Sequence, residues 1–126
     1  MRTQELHAVR PDRAVVLSRA LLRAADILGL KQASLASILG LSEATVSRLR
    51  NGSYQLIPDS KAWELATLLV RLYRGLDAIM AGDEEALRAW LHNPNKDLRG
   101  VPAELINSVT GLSRTIAYVD AHRARV

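Results

Sequence analysis

The sequence predicts an all-α fold, and three observations carry that expectation. Of the 126 residues, 48% are apolar, enough to build a globular core rather than a disordered chain. The apolar set is mostly Leu, Ala, Val and Ile with no Phe, which suits interdigitating helices better than an aromatic-rich sandwich. These residues also recur at helical spacing, in runs that open on Pro, Ser or Asp and close on Gly. The length is that of one domain, or of two small ones sharing a core.

Pro11-Asp12 starts the first helix, with proline tolerated in the first turn and an acid set against the helix dipole. Its apolar positions run from Val15 to Leu28, and Gly29 supplies the stop. A second helix is expected from Gln32 to Leu39, ended by Gly40, which can take the left-handed conformation of a sharp turn. Ser42 then caps a third helix that Asn51-Gly52 ends. Two helices of under ten residues joined by a tight turn form a helix-turn-helix.

"SYQLIPDS" reads as a loop, recapped at Asp59 or Ser60. From Lys61 to about Met80 a long helix follows, with an apolar band wider than one small neighbour requires, so it is read as a connector belonging to both halves. "DEEALRAWL" gives a short helix with three acids at its positive end. "HNPNKDLRGVP" is a loop, Pro102 opens another short helix ("PAELINSV"), and "GLSRTIAYVDAHRARV" closes the chain. The expected organisation is residues 1–57 as an N-terminal helix-turn-helix bundle, 58–82 as a connector helix that also dimerises, and 83–126 as a small helical C-terminal domain.

Charge divides the chain unevenly. Residues 1–57 hold eight Lys/Arg against four acids, whereas residues 58–126 hold nine of each, so the whole net charge of +4 sits in the first half. That asymmetry places a polyanionic partner on the first half only. Cysteine is absent, which excludes disulfides, thiolate metal sites and a Cys nucleophile and points to a reducing cytosol. "MRTQELHAVR" lacks the apolar core of a signal peptide, and no run approaches the roughly 18 apolar residues of a membrane span.

On the third helix, steps of 100° put Val46 and Leu49 side by side, facing the core with Leu35, Ala36, Leu39 and Leu41. The opposite face carries Ala44, Ser47 and Arg48, with Glu43 and Thr45 at its margins. Small and hydrogen-bonding side chains let a backbone approach another surface closely, and the major groove of DNA admits one helix presented by its N-terminal end. Arg48 suits guanine edges or a phosphate, Ser47 and Thr45 suit phosphate or a base, Glu43 suits cytosine, and Gln32 would sit over the sugar-phosphate backbone.

The segment "KQASLASILGLSEATVSRLRNG" resembles the DNA-binding unit of the Xre/Cro/phage-repressor family. The matching positions are Gln32, Leu35-Ala36, Gly40, Ser42, Val46-Ser47-Arg48 and Asn51-Gly52. The DNA-binding set expected from residues and resemblance together is Gln32, Ser42, Glu43, Ala44, Thr45, Ser47, Arg48 and Asn51. Lys31 departs from the capping Thr or Ser usual in the family, at a cost of about 1 kcal/mol to the cap, although a lysine there could touch phosphate.

The second half resembles the toxin-binding C-terminal domain of Xre/MbcA/ParS-type antitoxins. Gly82-Asp83, Trp90-Leu91, the loop with Pro94, Asn95, Leu98, Gly100 and Pro102, and a closing helix through Tyr118 and Val119 carry the likeness. The resemblance implies an antitoxin that neutralises a RES-domain, NAD-consuming toxin, represses its own operon through double-stranded operator DNA, and works as a homodimer or larger toxin–antitoxin complex. It implies no cofactor, no metal and a cytoplasmic protein, nucleoid-associated when on DNA. The tail would be the inhibitory element, with Tyr118, His122, Arg123, Arg125 and Val126 facing the toxin. Trp90 is read as core, and Gly100 and Pro102 as shaping their loop.

Catalysis is not expected. His7, His92 and His122 lack metal-ligand spacing, no phosphate loop is present, and His92 near Asp97 lies in what reads as a polar loop without a nucleophile. Two other functions fit the same residues: a stand-alone Xre-like regulator whose C-terminal half dimerises or senses an effector, and a structural adaptor with a vestigial helix-turn-helix.

Overall fold

The computed structural model describes residues 12–125, so Pro11 and Val126 lie outside the described residues. Among the described residues seven helices follow in order: α1 Arg13–Leu28, α2 Gln32–Leu39, α3 Glu43–Asn51, α4 Lys61–Ile79, α5 Glu84–His92, α6 Pro102–Leu105 and α7 Val109–Arg125. Among the described residues the only extended pairing is an isolated bridge between Asn95 and Gly100.

Local chemistry sets most of the boundaries. Asp12 caps α1 by accepting from the Ala14 amide at 2.8 Å. Ser42, Ser60 and Asp83 cap α3, α4 and α5 in the same way. Lys31 gives α2 no side-chain cap. Gly29, Gly40 and Gly52 end the first three helices at φ of 68°, 67° and 86°, each returning its amide to the preceding turn.

Two boundaries differ from the sequence expectation. The helix opened by Pro102 ends at Leu105, and α7 begins at Val109 rather than at Gly111. Ser108 is the reason, because its hydroxyl accepts from the Gly111 amide at 3.0 Å and its carbonyl from Leu112 at 2.9 Å, starting a new helix there. Gly111 is thereby placed inside the first turn of α7, where a Cβ would lie 1.9 Å from the Leu105 carbonyl oxygen.

One apolar cluster runs through both halves, from Leu21, Leu28, Leu35 and Leu39 to Leu87, Leu91, Leu112 and Val119. The long helix α4 is its axis, burying Ala66, Leu69, Leu72 and Leu76 and packing against α1 on one side and α7 on another. Much of the wide apolar band seen in the sequence is thus used within the chain, with Trp63 and Leu68 left half-buried. Gly75 lets α7 come close, since a Cβ there would lie 2.8 Å from Val119 Cγ1.

Candidate functional site

The third helix is held by its inner face. Val46 and Leu49 are buried with Leu35, Ala36 and Leu39, which leaves Glu43, Ala44, Ser47 and Arg48 exposed and Thr45 half-buried at the margin. The outward edge is organised rather than free. Ser42 Oγ accepts from the Thr45 amide at 3.1 Å and is hydrogen-bonded to Thr45 Oγ1 at 2.8 Å. Arg48 in turn donates to Thr45 Oγ1 at 3.3 Å. Cap, threonine and arginine form one line along the helix, so the guanidinium is held toward the N-terminal end.

Other residues of the expected set have assigned work. Gln32 donates through Nε2 to the Glu43 carbonyl at 3.5 Å, a long bond that braces the start of α2 against the first turn of α3. Asn51 Oδ1 accepts from the Ser53 amide at 2.9 Å and from the Ser53 hydroxyl at 2.6 Å, closing the exit turn as an Asx motif. Its amide nitrogen has no partner among the described side chains. Arg50 pairs with Asp26 at 3.1 Å, fastening α3 to α1, while Arg48 has no acidic partner among the described residues.

At the C-terminal end, the structure brings Tyr118 and His122 together and sets Arg123 elsewhere. The Tyr118 ring stacks on Trp90 of α5 at 6.3 Å and meets the His122 ring at 4.2 Å. Its hydroxyl donates to Asp97 Oδ2 at 2.7 Å, and that bond to a carboxylate raises the phenol pKa above 10.0. A small cleft of about 60 Å³ lies among Trp90, Tyr118, His122, Ile79 and Met80. Trp90 packs against the core as expected but is half-buried and shared with this face. Arg123 lines a different groove, with residues of α1 and α4. Arg125 is exposed at the last described position.

The loop before α6 behaves as its residues suggest. Asn95 Oδ1 accepts from the Leu98 amide at 3.0 Å, Asn95 and Gly100 exchange backbone hydrogen bonds, and Pro102 is buried. His92 and Asp97 are each bonded to a different partner. His92 is the last residue of α5, and its Nε2–H donates to the Leu28 carbonyl at 2.8 Å, while Asp97 serves Tyr118. Arg88 adds a 3.4 Å bond to the Ile27 carbonyl. Sequence reasoning missed this joint, because nothing local marks a side chain that satisfies a helix end 64 positions away. Among the described residues no three His, Asp or Glu side chains cluster to hold a metal ion, and no helix is long and apolar enough to cross a membrane.

Comparison with family models matches residues 7–71 to the antitoxin Xre-like helix-turn-helix domain and residues 76–125 to the antitoxin Xre/MbcA/ParS C-terminal toxin-binding domain. No curated protein matches the chain. Both matched domains are regulatory and non-enzymatic.

Proposed function

The chain belongs to the Xre-type antitoxins, and from that premise we propose that it neutralises a RES-domain, NAD-consuming toxin and represses its own operon. The observation that carries the reading is a small-residue recognition face, Ala44, Ser47 and Arg48, exposed on a capped helix in a chain that also carries a toxin-binding unit.

In this reading the N-terminal end of α3 enters the major groove. Ala44 and Ser47 allow the approach and Arg48 reads a base edge or grips a phosphate. Ser42 and Thr45 hold that arginine, and Glu43 stands where a cytosine amino group can donate. Gln32 and Asn51 sit at the two flanks over phosphates, each with an amide N–H to offer. Two copies would present two recognition helices to half-sites one helical turn of DNA apart, about 34 Å. The half-buried Leu68 of α4, beside Ser113 and Ala117 of α7, is the part of the connector helix open to a second copy. Tyr118, His122, Arg123, Arg125 and Val126 are the residues assigned to the toxin.

The test is to co-express the chain with the protein encoded by the neighbouring reading frame. Rescue of growth, loss of NAD consumption and retention of a labelled operator fragment are the expected results. A neighbour that consumes no NAD, or whose toxicity the chain leaves untouched, overturns the RES assignment.

A further inference from the structure

A groove of about 510 Å³ runs between α1 and α4 and is closed at one end by α7. Its floor is apolar: Val16, Leu17 and Ala20 from α1, Trp63 and Val70 from α4. Val16 is 52% exposed, an apolar side chain left in water beside other apolar surface. The rim is cationic, with Arg13, Arg71, Arg74 and Arg123 and, among the described residues, no lining carboxylate. Arg71 is engaged by Asp120, while Arg13 lies over the Trp63 ring at 5.2 Å. Among the described residues no acid pairs with Arg13, Arg74 or Arg123.

Shape and charge select the occupant. The α4 residues that line the groove span 63 to 74, about 16 Å of helix at 1.5 Å per residue, or three turns. The walls are helices whose backbone groups are already paired, so an extended segment would leave its own backbone unpaired, whereas a helix brings its hydrogen bonds with it. DNA has no use for an apolar floor. A second copy presenting the same groove would set arginines against arginines. Residues 1–11 bring Arg2 and Arg10 against a single Glu5, the wrong sign. The toxin is the partner that remains.

We propose that this groove receives an acidic amphipathic helix of about three turns from the toxin. Its apolar stripe covers Val16, Leu17 and Trp63, and its carboxylates meet Arg13, Arg74 and Arg123. The proposal rests on the antitoxin reading and extends the toxin contact beyond the C-terminal unit, onto a helix of the DNA-binding half.

The experiment measures toxin affinity of the full chain by calorimetry, using the protein from the neighbouring reading frame, for the native chain and for Val16→Asp, Arg74→Glu and Arg74→Lys. Circular dichroism melting checks that each variant folds; both positions are exposed, and Val16→Asp stands in if Arg74→Glu does not. Val16→Asp and Arg74→Glu are expected to weaken toxin binding by about tenfold or more, and Arg74→Lys by much less, with operator affinity unchanged. If the native chain binds no toxin, the antitoxin reading falls and takes the groove with it. If the native chain binds and the variants bind equally well, the groove alone is overturned. Loss of self-association or of operator affinity, with toxin affinity intact, overturns it too, by making the groove a homodimer contact or a phosphate surface.

Discussion

The imidazole Nε2 of His92 stands 2.8 Å from the carbonyl oxygen of Leu28. The histidine ends α5 and the leucine ends α1, so a residue of the toxin-binding match completes the first helix of the DNA-binding match. A helix leaves its last carbonyls without intrahelical partners, and here the second half of the chain supplies them. Arg88 does the same for Ile27.

His92→Ala is expected to cost about 1 kcal/mol through that unmade hydrogen bond. Because one core joins the two halves, urea unfolding followed by probes in each half should show a single transition. Two separated transitions would contradict a shared core.

Arg48→Ala should weaken specific operator binding by about 1 to 3 kcal/mol if the guanidinium reads a base. Thr45→Val removes the hydroxyl that holds Arg48 and should produce a smaller loss in the same assay. Equal losses on operator and random DNA would assign Arg48 to a phosphate. No loss on either would remove it from the interface.

Gly111→Ala should destabilise far more than Gly75→Ala. The added Cβ at Gly111 meets the Leu105 backbone oxygen at 1.9 Å, whereas at Gly75 it meets a side-chain methyl at 2.8 Å. Overpacking against backbone should cost about 3 kcal/mol or more, and against Val119, which can shift, about 1 kcal/mol. Thermal melting of the two variants ranks them directly.

Removing residues 121–126 should leave the fold intact and abolish toxin neutralisation. A deletion beginning at residue 115 should instead unfold the chain, because Thr115, Ile116 and Val119 are buried. Circular dichroism separates the two cases, and full neutralisation by the shorter deletion would take the last turn of α7 out of the inhibitory role.

Tyr118 should ionise above pH 10.0. Its folded pKa is raised, so the stabilisation from its hydrogen bond to Asp97 is present below the unfolded pKa and is lost as pH climbs through the folded one. Ultraviolet titration reads this, and Asp97→Asn should bring the phenol back toward its ordinary value.

Much of this was legible in the residues. Gly40, Ser42 and Gly52 marked α2 and α3 to the residue, because caps and left-handed stops act within four positions. The outward face of α3 followed from a 100° step, and Ala44, Ser47 and Arg48, which the step turned outward, are exposed, as are Arg50 and Asn51 toward the end of the helix. The start of α7 was misread, since Gly111 looks like a breaker and Ser108 only shows itself as a cap when its hydroxyl is seen to accept.

The family resemblance grouped Tyr118, His122 and Arg123 in one tail. The helix separates them: positions 118 and 122 are a turn apart and face Trp90, while position 123 points into the groove with α1 and α4. Composition and local hydrogen-bonding patterns decided which segments are helical, where they stop and which side of each is wet, because those preferences act over one or two turns. Which helix end His92 satisfies, which ring Arg13 covers and which arginines share a groove were decided only by packing, because those pairings join positions tens of residues apart that share no local signal.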